Sequence, residues 1–332
     1  MKIWKNSSLD LILLLLSVGQ FVMTLLLAIA WGKASVLVRV AGFVLLVAMT
    51  VYNIIVVSHL FTHAAWFRSP RLNRLVSMLN SINIGQSVQA YELTHVRNHH
   101  RYNNDQQRAD GKTLDLSSTF SGGTDGQHVS LFRYAFLGAI ESLVSIGRAL
   151  LSITRLWRVG AHEHDLLNLA VKSGAKRDWE LRQVQLDRMV QFLALGLFLA
   201  ISWKWVLFCY LPAFFLALAL VNVQNYYEHY GAAPEDRYAN SVSYYGAVYN
   251  LLTFNDGYHQ EHHLRPLSHW TQMPRVRHDY GDKLDRVERI ISPVPAILGV
   301  LHRSRPLLHQ SRPAVIPPVS QSATLSKAAA GQ

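Results

Sequence analysis

The sequence predicts an all-α integral membrane protein: four transmembrane helices in two hairpins under a cytoplasmic helical cap that holds a histidine-rich site. Three observations carry this. Half of the 332 residues are hydrophobic and only 16% are charged, too apolar a mixture for ordinary soluble domains. Long uncharged runs come in pairs joined by short polar turns. Sixteen histidines stand against one cysteine, which excludes a disulfide framework and a thiolate site and leaves nitrogen and oxygen to hold any metal. With so much apolar length, the net charge of +11 points to an anionic membrane surface or an acidic protein partner, and not to nucleic acid.

The first span covers about residues 11–31, close to the ~20 residues a helix needs to cross the hydrocarbon core. Its apolar run exceeds the ~7–15 residues of a signal-peptide core, and no cleavage pattern follows it. The second covers 40–58, with Arg39 placed to snorkel toward the interface. Together they read as a tight hairpin. Lys2 and Lys5 ahead of it favour a cytoplasmic N-terminus. A second hairpin, with spans near 187–203 and 205–224, turns at Ser202-Trp203-Lys204-Trp205. Tryptophan and lysine suit a membrane interface, so Trp203 and Trp205 read as belt anchors.

Leu131 to Ile153 is apolar but carries Arg133, Glu141 and Arg148, so it reads as an interfacial amphipathic helix. Parity agrees, because another crossing would put the histidine clusters on opposite sides of the bilayer. Residues 64–188 and 226–332 then form the cap. Residues 1–304 read as one domain, and 305–332, rich in Pro, Ser and Ala, as a disordered tail.

Four polar clusters lie at the ends of apolar or helix-like runs: His59–His63, His95–His100, Asn225–His229 and His259–His263. By chance an HxxHH pattern should occur only about 0.04 times in such a chain. Residues i, i+3 and i+4 share a helix face, so His259, His262 and His263 converge, as do His59 with His63, His95 with His99, and Asn225 with His229. His100, at i+5, needs a helix end or a local distortion to join them. Nine histidines and one asparagine suffice for two metal ions, and imidazole suits iron, copper, zinc or nickel alike. Glu228, Asp256 and Glu261 are candidate acceptors that fix imidazole tautomers. The scattered His128, His162, His164, His269, His278, His302 and His309 read as ordinary amphipathic residues.

At these residues the chain resembles the integral-membrane fatty acid desaturase and hydroxylase superfamily, with boxes HxxxH, HxxxHH and HxxHH in order and a hairpin between the second and third. Tyr258-His259-Gln260-Glu261-His262-His263-Leu264-Arg265-Pro266 is close to the third box of acyl-lipid desaturases. Asn225-Tyr226-Tyr227-Glu228-His229-Tyr230-Gly231 is similar to a motif of membrane alkane hydroxylases. The resemblance covers roughly residues 50–270. It implies two irons ligated by His59, His63, His95, His99, His100, His229, His259, His262 and His263, with Asn225 reaching a metal through water. It implies reductive activation of dioxygen as co-substrate and hydrogen abstraction from an unactivated C–H bond. Loss of a second hydrogen then gives an alkene, and oxygen rebound an alcohol.

Two departures stand out. Leu60 occupies the position that is usually acidic after the first box histidine, and no His-Pro-Gly-Gly haem signature occurs. Electrons are therefore expected from a separate ferredoxin- or rubredoxin-like protein with its reductase. The leading expectation is an acyl desaturase in a bacterial inner membrane, its site on the cytoplasmic side. An alkyl or fatty acid hydroxylase and a terminal-alkene-forming fatty acid decarboxylase are the alternatives within the chemistry, a carotenoid ketolase or hydroxylase being remoter. A membrane metal-binding or transport protein is the alternative outside it, although its ligands should lie within the spans and not beyond their ends. Tyr244, Tyr245, Leu252 and Phe254 are the candidate lining of an apolar substrate tunnel.

Overall fold

The computed structural model describes residues 3–154 and 163–311, and among them regular structure is helical, with no strand. Lys2, His162 and residues 312–332 lie outside the described residues. Four helices are long and apolar enough to cross a membrane: Asp10–Ala30, Val36–His63, Arg133–Leu151 and Ala175–His229.

The first two, α1 (Asp10–Ala30) and α2 (Val36–His63), form the expected hairpin. Ser35 caps α2 by accepting from the Val38 N–H (3.4 Å), and Arg39 lies 5.0 Å over the Trp31 ring. Gly42 lets Leu27 approach closely, since a Cβ there would stand 2.8 Å from a leucine methyl. Toward the cap a polar ladder replaces leucine packing. Ser58 Oγ donates to Asn53 Oδ1, Asn53 Nδ2 to Gln20 Oε1, and Gln20 Nε2 to the Asn83 carbonyl. Asn83 belongs to α3 (Pro70–Ile84), and its Nδ2 donates back to the Ser17 carbonyl (2.9 Å). Such buried hydrogen bonds leave one register for three helices, because any slip would strand polar groups. α3 ends at Gly85, which takes a left-handed φ of +64° and has Phe214 where a Cβ would be.

The helix α4 (Val88–Thr94) runs into the second histidine box. Beyond a long loop, the helical run Arg133–Leu151, mostly α5 (Gly138–Thr154), meets the length and composition of a span where the sequence suggests an interfacial helix. Arg133, Glu141 and Arg148 share its exposed side with Phe136, Leu137, Ile140 and Val144, the mixed surface that suits an interface.

The run Ala175–His229 contains both arms of the second hairpin. α6 (Ala175–Trp205) breaks at Ser202, whose backbone is extended, and α7 (Leu211–His229) returns toward the cap. Trp203 is 54% exposed with Lys204 5.7 Å over its ring, as a belt residue should be. Trp205 corrects the expectation: it is fully buried, edge-on to Phe198 at 5.7 Å, because the chain doubles back over it. α6 also begins a dozen residues earlier than the span. Its Asp187, at the start of that span, is buried and accepts hydrogen bonds from Ser77, Ser87, Gln183 and the Gln89 N–H.

The predicted tail boundary at residue 305 is also corrected. Arg305 is buried, donating to the Tyr227 carbonyl at 2.6 Å with its guanidinium over the Tyr227 ring, so it caps the C-terminal end of α7. The Leu308 N–H bonds to the Gly231 carbonyl (2.7 Å), and Gly231 (φ +85°) leaves the room that the passing Pro306 carbonyl needs. Several scattered histidines are core residues rather than interfacial ones. His269 is buried with Nε2 3.0 Å from Asp10 Oδ1, tying the start of α1 to the segment after the third box. His309 is buried with the half-buried His128 beside it, whereas His278 is exposed as expected.

Candidate metal centre

All nine clustered histidines meet at the cap end of the helices. One set of ring nitrogens, from His59, His63, His95, His100 and His262, lies within 4.8 Å of one another, and a second set comes from His99, His229 and His263. His259 stands beside the second, its Nε2 3.4 Å from that of His229.

The local backbone explains this division. His59 and His63 close the last turn of α2, with ring centroids 4.9 Å apart. The second box is not a regular α-helix: His95–His99 forms a π-helical turn, and the His100 N–H reaches back five residues to the His95 carbonyl. This is the distortion that the spacing demanded. It brings His100 Nε2 to 3.2 Å from His95 Nε2 and turns His99 to the other set. In the third box, on α9 (His259–Leu264) after the short α8 (Ala247–Leu252), His262 faces the first set and His263 the second.

Hydrogen bonds at Nδ1 decide what each ring can offer at Nε2. In the second set, His99 Nδ1 lies 2.7 Å from Asp115 Oδ2, His229 Nδ1 3.3 Å from the Asn240 carbonyl, and His263 Nδ1 2.9 Å from Asn103 Oδ1. Each acceptor takes the Nδ1 proton, so three bare Nε2 lone pairs point inward. Those of His99 and His263 are buried without a partner. In the first set His59 Nδ1 is held by the Ile55 carbonyl (3.1 Å), leaving its Nε2 lone pair 3.1 Å from His262 Nε2. Both ring nitrogens of His63 are buried and unpartnered. Burial, and then the neighbouring imidazoles, pushes His95, His100, His259, His262 and His263 well below the ordinary histidine range. Neutral imidazoles with converging lone pairs are a donor set that fits cations, and two sets fit two ions.

Of the three candidate carboxylates, two stand at imidazoles: Asp256 Oδ1 is 3.7 Å from His59 Nδ1, and Glu228 Oε1 is 3.6 Å from His259 Nδ1. Glu261 does not. It accepts from Ser243 and Tyr245 and pairs with Arg277, because its side of α9 faces away from the rings. Asn225 Nδ2 donates to Tyr134 and lines a cavity beside the rings. The strongest acceptor, Asp115, was missed. Burial alone would raise its carboxyl, but His99 and the N–H groups of Ser117 and Asn104 hold it below the usual range. It sits in a loop sixteen residues beyond His99, where helical spacing carries no signal. Asn103, in a left-handed conformation (φ +50°), was missed for the same reason.

A cavity of about 300 Å³ opens onto His59, His95 and His259, walled by α2, α4, α7 and the Leu116–Ser117 loop. None of Tyr244, Tyr245, Leu252 and Phe254 lines this cavity. The Tyr244 N–H bonds to the Gly257 carbonyl and closes a loop that carries Tyr245 to Glu261 and leaves Leu252 62% exposed. Phe254 lines a separate small recess over His59, His63 and His262.

A family model described as fatty acid desaturase matches residues 34–293. A sphingolipid delta(4)-desaturase of Candida albicans is 41% identical over 54 residues, which is 16% of this chain and 14% of that relative. No solved structure matches.

Proposed function

The chain belongs to the fatty acid desaturase family, and on that premise we propose that it is an oxygen-dependent di-iron lipid desaturase that introduces a double bond into a long alkyl chain. The carrying observation is the pair of imidazole sets beside a cavity. His59, His63, His95, His100 and His262 would hold one iron, and His99, His229 and His263, with His259 next to them, the other. Asn225 would reach a metal through water. When bound, the irons supply the reductive activation of dioxygen. The balance is one CH₂–CH₂ unit, O₂, two electrons and two protons in, and one CH=CH unit and two waters out.

The chain's own residues do the remainder. The cavity wall fixes which carbons face the histidines, and such positioning removes most of the entropic cost of the encounter. Asp115, Asn103 and the Asn240 carbonyl keep a proton on each Nδ1, so that Nε2 stays free for metal. In this reading the cap faces the cytoplasm, where an acidic ferredoxin- or rubredoxin-like donor meets a basic protein. Asn225 and His229 at the site keep a hydroxylase or a decarboxylase as the second reading, since the motif around them is the hydroxylase-like one.

Expression with isotopically labelled fatty acid, followed by gas chromatography and mass spectrometry, separates these readings. A product two mass units lighter supports desaturation, one sixteen units heavier hydroxylation, and a terminal alkene one carbon shorter decarboxylation. No oxygen-dependent product from an iron-loaded protein would refute all three.

A further inference from the structure

A cavity of about 400 Å³ lies between the segment before α1, the end of α2, α3, α4 and the start of α6, and shares no wall residue with the one at His59, His95 and His259. The chemistry proposed above does not use it. Lys5, Arg68 and Arg74 stand in its wall against one carboxylate, Glu92, which is already met by Gln89 Nε2 at 3.0 Å and by Arg97 at 3.8 Å. The backbone holds two of these cations together. The Lys5 N–H bonds to the Trp66 carbonyl (2.7 Å) and the Arg68 N–H to the Ile3 carbonyl (3.0 Å), while the Trp4 ring stacks on Phe67 at 4.7 Å.

Two polar groups in this wall lack partners that a ligand would bring. Arg74 Nε is buried with no acceptor, and Gln183, 1% exposed, gives its Nε2 to Asp187 while its Oε1 is buried with no donor. Such groups are costly to leave unpaired. A molecule that satisfies both carries an anionic oxygen and, a short distance away, an O–H or N–H. Phe61, Phe67, Val88 and Trp179 complete the wall and suit the carbon atoms of that molecule.

The depth of the cavity says where such a molecule comes from. Lys5 precedes α1 and Arg68 follows α2, so both stand at the cap ends of spanning helices, and α3 leaves that rim with Leu72 and Leu75 exposed beside Arg71 and Arg74. Exposed leucines next to arginines are the surface of a helix at the membrane interface, where the phosphates of the leaflet lie.

We infer that this cavity binds the head group of an anionic phospholipid, its phosphate at Lys5, Arg68 and Arg74 and a head-group hydroxyl at Gln183, as phosphatidylglycerol would supply. The bound lipid is a resident of the fold and not the chain that is oxidised, so the inference does not rest on the desaturase reading.

The test uses the full chain in uncharged detergent, offered phosphatidylglycerol, phosphatidylcholine of equal chain length, or inorganic phosphate. Native mass spectrometry counts the lipid retained, and thermal unfolding reports protection. One phosphatidylglycerol per chain should be retained, with an affinity about tenfold or more above that for phosphatidylcholine, which has the phosphate but neither net charge nor donor. Arg74→Gln should weaken it about tenfold and the exposed Lys5→Gln about fivefold, while Arg148→Gln, at an exposed arginine of α5, should leave it unchanged. Equal affinity for the two phospholipids, or a loss with Arg148→Gln as large as with Lys5→Gln, would overturn the inference. Protection by inorganic phosphate with no phospholipid retained would assign the cavity to a soluble phosphate compound and overturn the lipid occupant.

Discussion

The two histidine sets differ in how they are held. In the set of His99, His229 and His263, every Nδ1 has an acceptor supplied by the protein, and the rings are locked before any metal arrives. In the set of His59, His63, His95, His100 and His262, His59 is anchored at the Ile55 carbonyl while His63 has no hydrogen bond at either nitrogen. One set is built by loops that reach in from distant sequence, the other by helix turns whose rings touch mainly one another. Preorganised ligands bind with less ordering cost, so the second set should bind its ion more tightly, and the first should depend on the ion itself for order.

The largest effect expected from breaking that contrast is at Asp115. It is fully buried, and besides His99 it accepts from the Asn104 N–H, the Ser117 N–H and Ser117 Oγ. If the two sets hold the irons proposed, Asp115→Ala should weaken the one at His99 by roughly 10–100-fold, and each abandoned donor should cost about 1–3 kcal/mol of stability. Iron titration followed by thermal unfolding of the metal-free protein reads both. Unchanged affinity at both sites would dissolve the contrast.

His128 provides a control, a half-buried histidine outside the metal centre. Its Nδ1 lies 2.7 Å from Thr119 Oγ1, which itself donates to Asn104, and its Nε2 accepts from the Gly231 N–H at 3.0 Å. Both nitrogens are spoken for, and so it offers no lone pair. Burial, with His309 and His229 nearby, pushes its pKa down to about 2. A base so depressed stays neutral in the fold while the unfolded chain takes up a proton below about pH 6.5. Its stabilising contribution is full above pH 6.5 and is lost as pH falls toward 2, at about 1.4 kcal/mol per unit. Lowering pH from 6.5 to 5 should thus destabilise the natural chain by about 2 kcal/mol more than His128→Gln. Equal acid sensitivity of the two in urea titrations would show that His128 is protonated in the fold.

Asp256 should matter least. It stands 3.7 Å from a His59 Nδ1 that already has the Ile55 carbonyl as acceptor. Asp256→Asn should lower iron affinity by less than tenfold, by the same binding titration. A loss as large as that of Asp115→Ala would mean that the carboxylate, not the carbonyl, fixes the His59 ring.

What was legible in the sequence follows the same division. The hairpins and the boxes rest on local periodicity, so apolar runs and i, i+3, i+4 spacing reveal them. The split of the second box did not follow from α-helical spacing, because it depends on one π-helical turn at His95–His99. Asp115 and Asn103 were invisible because loops bring them in with no periodic mark, Asn103 by a left-handed residue at the end of the box. The tail boundary failed for a further reason. Composition averages over a segment, and it could not register that Arg305, Leu308 and His309 find a buried place under α7 while the residues around them are ordinary tail residues.

The claim that two separate imidazole sets each hold one ion is tested most directly by metal analysis of purified protein alongside His63→Ala and His99→Ala. About two irons per chain are expected in the natural protein and about one in each variant, with the iron retained by His63→Ala the more tightly bound. A single zinc and no iron in active natural protein, or loss of all metal from both variants together, would contradict it.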